Sequence, residues 1–383
     1  MKRFKVLVFS ATFGAGHLRA AEAIIEEIRK RNPAAEITHL DWGGLLSPTL
    51  NAMIKGTYIG MIAHTPRLWG GFYYGTARIS PESKLQGFLN NMGKTSIQRC
   101  LQEVRPDLII CTYPTVAGVL AQMRLTGELS VPLVTVVTDY TIHSQWIHHG
   151  VDMYIVGCDD VSRGFISRGI NPGCIHMTGI PVSEKFERAA QPSVLWARYG
   201  LHPGRPTLLI MAGAYGVLSH LKRVCRMVGN VSFPCQAIVV CGWNDRLYKS
   251  LDGVVDNCRN PILRFGYVNN VEDFMSISNV IVTKAGGLIV SESLTKHLPL
   301  IIFKPIPGQE EENAKFLNRN GAGRIAHNID DLEQIILHLL KNPEELEQMR
   351  QAASQVLPGR SAERAVDLML QLVEEHKYSM NMR

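Results

Sequence analysis

Short apolar, β-branched segments alternate with longer helical patterns along the whole chain, and this alternation limits the possible folds more than any other feature. Strands that are apolar throughout, and are separated by helices, are typical of parallel sheets covered on both faces. The predicted strands of the first half are 4–10, 36–40, 107–112, 132–138, 153–157 and 174–178. Those of the second half are 206–212, 236–241, 262–266, 280–283, 298–303 and 324–326.

Two sets of six strands predict an α/β protein with two doubly wound, Rossmann-like domains. Pro and Gly punctuate the stretch from residue 179 to residue 206, so we place the domains at 1–183 and 184–383. Ligands of open parallel sheets bind beyond the carboxyl ends of the strands, and two such domains facing one another form a cleft. A last helix, 362–377, has one apolar face, and the sequence leaves open which domain it packs on.

Length and composition exclude several classes of protein. The chain has 383 residues, of which 46% are hydrophobic, which excludes disorder and allows two to three domains. The longest uncharged stretch, from Met227 to Asn244, is interrupted by Gly229 and Pro234, whereas a spanning helix needs about 20 mostly apolar residues. Eight cysteines are scattered singly and no export signal is visible, so we expect a cytosolic chain with reduced thiols.

One segment breaks the alternation. Residues 45–78 hold three basic residues, no acidic one and many apolar and aromatic side chains, where the fold needs only a crossover helix. This composition is typical of segments that lie in a membrane interface; the alternative is an ordinary core helix followed by an aromatic loop. The net charge of +6 is a weak basic excess that suits an anionic membrane surface or a phosphate-bearing ligand, and chance is an equal alternative. We expect an anionic membrane surface and no nucleic acid as partner. The expected lipid contacts are Ile54, Tyr58, Ile62, Trp69, Phe72 and Tyr73.

A glycine-rich turn made by Gly14, Ala15 and Gly16 follows the first predicted strand and leads into a helix at His17. Glycines let backbone amides approach a ligand, and a helix N-terminus favours negative charge. From these residues alone, a turn with a purely structural histidine remains an alternative.

A second alternative is the dinucleotide-binding fingerprint, with an acidic residue at the end of strand two. Asp41 almost supplies this residue. The third glycine position, however, is Arg19, whose side chain would obstruct close packing of the helix on the strand.

A carboxylate, two aromatic rings and an imidazole follow the fourth predicted strand, at Asp139, Tyr140, Trp146 and His143. Such a set at the carboxyl end of a strand is typical of a site. Asp139 would serve as a base or orient His17. Alternatively, Asp139 caps the next helix.

Polar and glycine-rich turns also follow successive strands of the second half. A glycine pair in front of a helix would aim its amides at a diphosphate, and the lysine before it adds a cation. A glutamate one turn into that helix suits both hydroxyls of a ribose, and an amide and a carboxylate after the next strand suit a sugar. In chain order the residues are Gly213, Ala214, Lys284, Gly286, Gly287, Glu292, Gln309 and Glu310.

No D-x-D motif occurs in the chain. A metal-chelated diphosphate is therefore not indicated, and we expect neither a metal nor another cofactor. Charge on a leaving group would instead be stabilised by Lys284 and the helix N-terminus.

The ordered set of motifs GAGH, TDYxxHxxW, GIPV, MAGAYGVL, VCGxN, FGYV, TKAGG with a following SE, and KPxPGQEEEN resembles the diacylglycerol glycosyltransferases, over residues 4–376. These comprise bacterial processive diacylglycerol β-glucosyltransferases and plant-type monogalactosyldiacylglycerol synthases. The resemblance implies a GT-B fold, inversion at the anomeric carbon, no metal, and a monotopic protein on the cytoplasmic membrane face.

The resemblance also implies roles for individual residues. His17 would be the acceptor-side catalytic residue, assisted by Asp139, and residues 45–78 would take up the lipid acceptor. The donor contacts would be Gly213 and Ala214 beside the phosphates, the backbone of Tyr267 and Val268 at the uracil, Gly286, Gly287, Leu288 and Ile289 around the diphosphate, Glu292 at the ribose, and Gln309 with Glu310 at the hexose.

The expected reaction is transfer of glucose or galactose from UDP-glucose or UDP-galactose to diacylglycerol, giving a β-glycoside. Lys284-Ala285-Gly286-Gly287 is nearer the galactosyl branch, whereas MAGAYGVL and KPIPGQEEEN lean towards the bacterial glucosyl branch, so the sugar stays open. The alternatives are a polyprenyl-linked acceptor, epimerisation of a UDP-sugar, and a UDP-sugar sensor without enzymatic activity.

Overall fold

The computed structural model describes residues 3–12, 15–46, 48–77, 83, 93–214, 216 and 218–382. All twelve predicted strands are present, with ends that differ by up to two residues, in two parallel six-stranded sheets. The prediction of two doubly wound α/β sheets is confirmed.

The first sheet has the order β2-β1-β3-β4-β5-β6. Its strands are β1 (Lys5–Ser10), β2 (Glu36–Asp41), β3 (Leu108–Cys111), β4 (Leu133–Val136), β5 (Met153–Val156) and β6 (Ile175–Met177). The helices along this part of the chain are α1 (Ala15–Arg31), α2 (Trp42–Leu45), α3 (Pro48–His64), α4 (Pro66–Thr76), α5 (Lys94–Val104), α6 (Pro114–Leu125) and α7 (Asp159–Ile166).

The second sheet has the order β12-β11-β10-β7-β8-β9. Its strands are β7 (Thr207–Met211), β8 (Gln236–Val240), β9 (Ile262–Phe265), β10 (Val280–Thr283), β11 (Leu300–Phe303) and β12 (Gly323–Ala326). Its helices are α8 (Pro192–Tyr199), α9 (Leu221–Asn230), α10 (Asp245–Ser250), α11 (Val271–Ser276), α12 (Gly287–Thr295), α13 (Gln309–Arg319), α14 (Ile329–Lys341) and α15 (Pro343–Val356).

The direction in which the chain adds strands reverses between β1 and β3 in the first sheet, and between β7 and β10 in the second. At such a switch point the loops leave the two strands in opposite directions and open a crevice at the carboxyl edge. The loops after β1 and β3, and those after β7 and β10, therefore line the crevices in which sheets of this kind bind ligands.

The contacts divide the chain into a first unit, Met1–Glu184 with Arg360–Arg383, and a second unit, Lys185–Gly359. The sequence predicts a second domain that runs to residue 383 and leaves its last helix unassigned. In the structure this helix, α16 (Ser361–Asn381), lies in the first unit and packs on α1.

Burial of the apolar face of α16 explains this docking. Its fully buried residues Val366 and Met369 join one core cluster with Ile24 and Ile28 of α1. At the edge of the contact Arg31 forms ion pairs with Glu27 of its own helix and with Glu363 and Asp367 of α16. Because Arg31, Glu363 and Asp367 are partly exposed, the apolar contact contributes most of the stabilisation between the two helices.

Replacement of Met369 with Ala is expected to lower the free energy of unfolding by about 2–5 kcal/mol, because it leaves a cavity between α16 and α1. The matched control is Tyr378→Ala on the same helix, where the side chain is 67% exposed and the expected change is within about 0.5 kcal/mol. Urea denaturation followed by circular dichroism measures both. Equal losses in the two variants would contradict the docking described here.

Candidate active site

His17 lies in the first turn of α1, directly after the switch-point strand β1. Ala15 is exposed and Gly16 is partly exposed at the start of the same helix, whereas Gly14 lies outside the described residues. Ala15 and Gly16, predicted to form a turn, are the first two residues of α1, so the helix begins earlier than predicted and its N-terminus lies at the carboxyl edge of the first sheet.

Two residues that follow neighbouring strands hold the His17 ring. Its Nδ1 lies 2.6 Å from the backbone oxygen of Thr112, after β3, and 2.9 Å from Oγ1 of Thr138, after β4. The hydroxyl of Thr112 also donates to the backbone oxygen of His17 at 2.8 Å. A carbonyl oxygen can only accept, so Nδ1 carries the hydrogen, and Nε2 of the neutral ring keeps its lone pair.

The surroundings of His17 keep its ring neutral. Desolvation lowers the pKa of His17 from 6.5 to about 4, although the hydrogen bond to Thr112 acts in the opposite direction. Aromatic rings provide part of this environment: Tyr113 meets His17 edge-on at 5.2 Å between ring centroids, and Trp146 lies at 6.2 Å. A neutral imidazole with a fixed tautomer is the form that a general base needs.

The carboxylate of Asp41 is engaged by the loop in front of α1. Its Oδ1 accepts from the backbone N–H of Thr12 at 2.9 Å, and its Oδ2 accepts from the hydroxyl of Thr12 at 3.2 Å. A dinucleotide-binding acid must instead present its oxygens to a ribose. The structure therefore disfavours the dinucleotide alternative on grounds independent of Arg19.

The loop after β4 is buried, with exposed fractions of 7% for Asp139, 2% for Tyr140, 7% for His143 and 3% for Trp146. Asp139 directly follows Thr138, the residue that contacts His17. Trp146, at the other end of this loop, lies beside the His17 ring.

His143 connects this loop to α4. Its Nδ1 accepts from the backbone N–H of Gln145 at 3.2 Å, so Nε2 carries the hydrogen and donates to the backbone oxygen of Tyr73 at 3.2 Å. Ser144 adds a hydrogen bond from its hydroxyl to the backbone oxygen of Thr76 at 2.8 Å. The carboxyl end of α4 is thereby fixed to the loop that contacts His17.

The segment 45–78 folds mainly into α3 and α4. Among the side chains of these helices that the structure describes, Met53 is 62% exposed, Leu68 67% and Phe72 52%. Within the described ranges, no helix combines the length and apolar character needed to cross a bilayer.

The six predicted lipid contacts differ in their exposure. Phe72 is exposed and its ring contacts that of Trp69 at 5.8 Å, while Trp69 and Ile54 are partly buried. The side chains of Tyr58 and Ile62 lie outside the described part of the chain. Tyr73 is only 9% exposed and packs on the ring of His143 at 4.7 Å, so its ring faces the protein.

In the second unit, the turn after β7 packs tightly on the turn after β8. Gly213 has a φ of +75° and Gly242 a φ of +65°, the left-handed region that favours glycine. The backbone N–H of Trp243 donates to the oxygen of Ala214 at 2.8 Å. A Cβ at Gly242 would lie 2.4 Å from the backbone oxygens of both Gly213 and Ala214. Gly242 is therefore needed for the predicted phosphate turn to approach its neighbour.

Two aromatic rings stack on each other at the carboxyl ends of β8 and β9. The indole of Trp243, after β8, lies 3.8 Å from the ring of Tyr267, after β9, with an angle of 14° between the planes. Tyr267 and Val268 are partly exposed. The sequence singles out Tyr267 but not Trp243, which occupies the variable position of the VCGxN motif.

The loops after β10 and β11 meet at the other side of the switch point. Lys284 Nζ lies 3.6 Å from Oε1 of Glu310, and Glu310 Oε2 also accepts from the backbone N–H of Ile306 at 3.3 Å. Buried Asn313 donates to the backbone oxygen of Ala285 at 2.9 Å, which fixes the loop in front of α12. Lys284, the predicted cation for the phosphates, and Glu310, a residue predicted to bind the hexose, are thus neighbours.

The remaining predicted donor residues lie on α12 or at the start of α13. Gly286 is the residue before α12, so the free amides of this helix begin at Gly287. Leu288 is buried, and Ile289, Glu292 and Gln309 are partly exposed. Within the described residues, no group of three or more His, Cys, Asp or Glu side chains is arranged to hold a metal ion.

Comparisons with solved structures define the class of fold. The chain superimposes on MurG of Acinetobacter baumannii with a TM-score of 0.65 at 14% identity, covering 97% of this chain and 100% of the other. It superimposes on the UDP-GlcNAc 2-epimerase of Neisseria meningitidis bound to UDP-GlcNAc with a TM-score of 0.61 at 14% identity, covering 96% and 100%. The protein has the GT-B fold.

Sequence comparisons define the family. Residues 17–182 match the family model of monogalactosyldiacylglycerol (MGDG) synthase, and residues 218–369 match the glycosyltransferase family 28 C-terminal domain. Processive diacylglycerol beta-glucosyltransferases of Bacillus cereus and Bacillus thuringiensis are each 31% identical over 97% of this chain and 94% of their own length. The chain belongs to the family of the processive diacylglycerol beta-glucosyltransferases.

Replacement of Gly242 with Ala is expected to destabilise the second unit more than the same change at Gly253. Both glycines have a φ of +65°, but no atom lies within 4 Å of a Cβ built at Gly253. The left-handed backbone costs about 1–2 kcal/mol at either position, and the clash at Gly242 adds about 1–3 kcal/mol. Urea denaturation of both variants tests this difference, and equal free energies of unfolding would contradict the tight contact between the two turns.

Proposed function

We propose that this protein transfers a hexose from a UDP-sugar to the free hydroxyl of diacylglycerol, with inversion to a β-glycoside and without a metal. The observation that carries the proposal is the state of His17. It is a neutral imidazole whose Nδ1–H donates a hydrogen bond to the backbone oxygen of Thr112. Membership of a family whose relatives are named for this reaction supports it.

On the acceptor side, His17 would take the proton of the attacking hydroxyl on Nε2. The oxygen then forms its bond to the anomeric carbon as the bond to UDP breaks. The Thr112 oxygen, already bonded to Nδ1, would stabilise the imidazolium that forms, as the orienting partner of a catalytic histidine does. The nearby Asp139 would assist by adding negative charge in a buried loop.

On the donor side, the amides at the N-terminus of α12 and the ammonium of Lys284 would bind the diphosphate and stabilise the charge of departing UDP. Glu292 would hold the ribose. Gln309 and Glu310 would hold the hexose; the ion pair of Glu310 with Lys284 supports joint recognition of sugar and phosphate.

The remaining donor contacts would come from the loops after β7 and β9 and from the first turn of α12. Gly213 and Ala214 would border the phosphates, and the backbone of Tyr267 and Val268 would bind the uracil. Leu288 and Ile289 would contribute backbone amides from the first turn of α12.

We propose glucose as the sugar. The match to the galactosyl-named family model covers residues 17–182, whereas the proposed donor contacts lie between Gly213 and Glu310. The relatives that cover this donor half are named glucosyltransferases. A preference for UDP-glucose over UDP-galactose is therefore expected.

Replacement of His17 with Ala is expected to lower kcat/KM by roughly 10²- to 10⁴-fold, because it removes the base. Diacylglycerol liposomes, labelled UDP-glucose or UDP-galactose, and chromatography of the lipids measure transfer. The exposed histidine His149 provides the matched control, since His149→Ala should keep wild-type transfer. Wild-type transfer by His17→Ala would refute its role, and UDP-sugar turnover without a lipid product would favour the epimerase alternative.

The pH profile of transfer tests the neutral state of His17. Its pKa is lowered to about 4 by desolvation, and the base is active when unprotonated. We therefore expect protonation of His17 to leave kcat/KM unchanged between pH 8 and about pH 5. Below that, kcat/KM should fall with a midpoint near pH 4. An acid limb near the ordinary histidine pKa of about 6.5 would contradict the desolvated ring.

We further propose that α3 and α4 bind the membrane at the cytoplasmic face, as a peripheral or monotopic contact. Strongly exposed Met53, Leu68 and Phe72, together with basic residues and no acid, support this assignment. Tyr73 would instead position α4 through its contact with His143. The fixed carboxyl end of α4 would deliver the acceptor towards the loop that contacts His17.

The double variant Leu68→Ser/Phe72→Ser is expected to weaken binding to anionic vesicles roughly tenfold or more, because it removes two exposed apolar anchors. The matched control is Leu125→Ser/Ile166→Ser, which removes side chains that are 62% and 42% exposed elsewhere in the first unit. Co-sedimentation with phosphatidylglycerol vesicles measures binding. The same loss in both double variants would refute a specific contact by α4.

A further inference from the structure

The exposed aromatic residue Trp243 has no role in the reaction as described so far. Its side chain is 65% exposed, although one face of the indole is covered by Tyr267. The other face of the indole therefore buries little apolar area against the protein.

The backbone and side chain of Trp243 connect two predicted donor segments. Its N–H donates to Ala214 at the proposed phosphate turn, and its ring stacks on Tyr267 beside the proposed uracil contact. Gly242, immediately before it, permits this approach through its positive φ and missing Cβ. The hydrogen bond therefore holds the backbone of Trp243, and the stack on Tyr267 orients its indole, at the carboxyl edge of β8 and β9.

We infer that Trp243 is a stacking platform for the uracil of the donor nucleotide. The face of the indole turned away from Tyr267 would cover the base, and Tyr267 would hold the indole in place. Every nucleobase has a π face, so such a platform increases affinity without choosing among bases. This inference rests on the proposed UDP-sugar reaction and adds a binding residue to its donor site.

The test compares UDP with pyrophosphate, which has the phosphates of UDP but no base. Calorimetry on the full chain is expected to show that Trp243→Ala raises the Kd of UDP roughly 5- to 100-fold, as loss of a base–aromatic stack does. Trp243→Phe keeps a flat ring and should retain most of the affinity. The Kd of pyrophosphate should be the same in all three proteins.

The matched control is Trp196→Ala on α8, a partly exposed tryptophan of the same unit that lines a cavity with Pro203 and Pro206, before the start of β7. It should bind UDP like the wild type. UDP binding unchanged in Trp243→Ala would overturn the platform while leaving the donor site intact. An equal loss for UDP and pyrophosphate would overturn it in favour of a structural role, and no UDP binding by the wild type would overturn both this inference and the proposed function.

Discussion

Parallel strands end at one edge of a sheet, and the chemistry of this protein depends on that constraint. In the first sheet it places the carbonyl of Thr112 against Nδ1 of His17. This hydrogen bond determines which nitrogen of the ring carries the hydrogen, and therefore which one keeps its lone pair. The threonine hydroxyl after β4 completes the arrangement. In the second sheet the same constraint brings Lys284 beside Glu310.

Most strands were predictable because they are largely apolar and buried, as β1, β3 and β11 are, and the position of His17 was predictable because glycines follow the first strand in the sequence. Contacts between distant segments were not. Thr112 lies in no motif, and Thr138 begins the motif TDYxxHxxW but was not singled out as a partner of His17, although a polar residue after a buried strand was an available signal. Trp243 was missed because its motif position is variable. The docking of α16 was not predictable, because an apolar stripe shows that a helix packs but not on which partner.

The helices between β2 and β3 combine two properties that usually exclude one another. Apolar side chains such as Leu68 are exposed to solvent, yet the end of α4 is held to the core through Tyr73 and His143. The sequence shows aromatic and basic residues without acids. This composition does not distinguish solvent-exposed side chains from those that attach α4 to the core. Only the structure distinguishes Tyr73, which faces inward, from Phe72, which faces outward. The exposed apolar side chains of α4 are thus carried by a helix whose end is attached to the loop that contacts His17.

The docking of α16 has a consequence for how the protein can be divided. The chain leaves the first unit after Glu184 and re-enters it at Arg360, so the second unit is a covalent insertion within the first. Truncation after residue 359 would therefore uncover the apolar face of α1 and yield no intact first unit. The second unit, in contrast, is one continuous segment. A minimal first unit would need residues 360–383 rejoined to residue 184 by a short linker, and the evolutionary exchange of donor units would require two junctions rather than one.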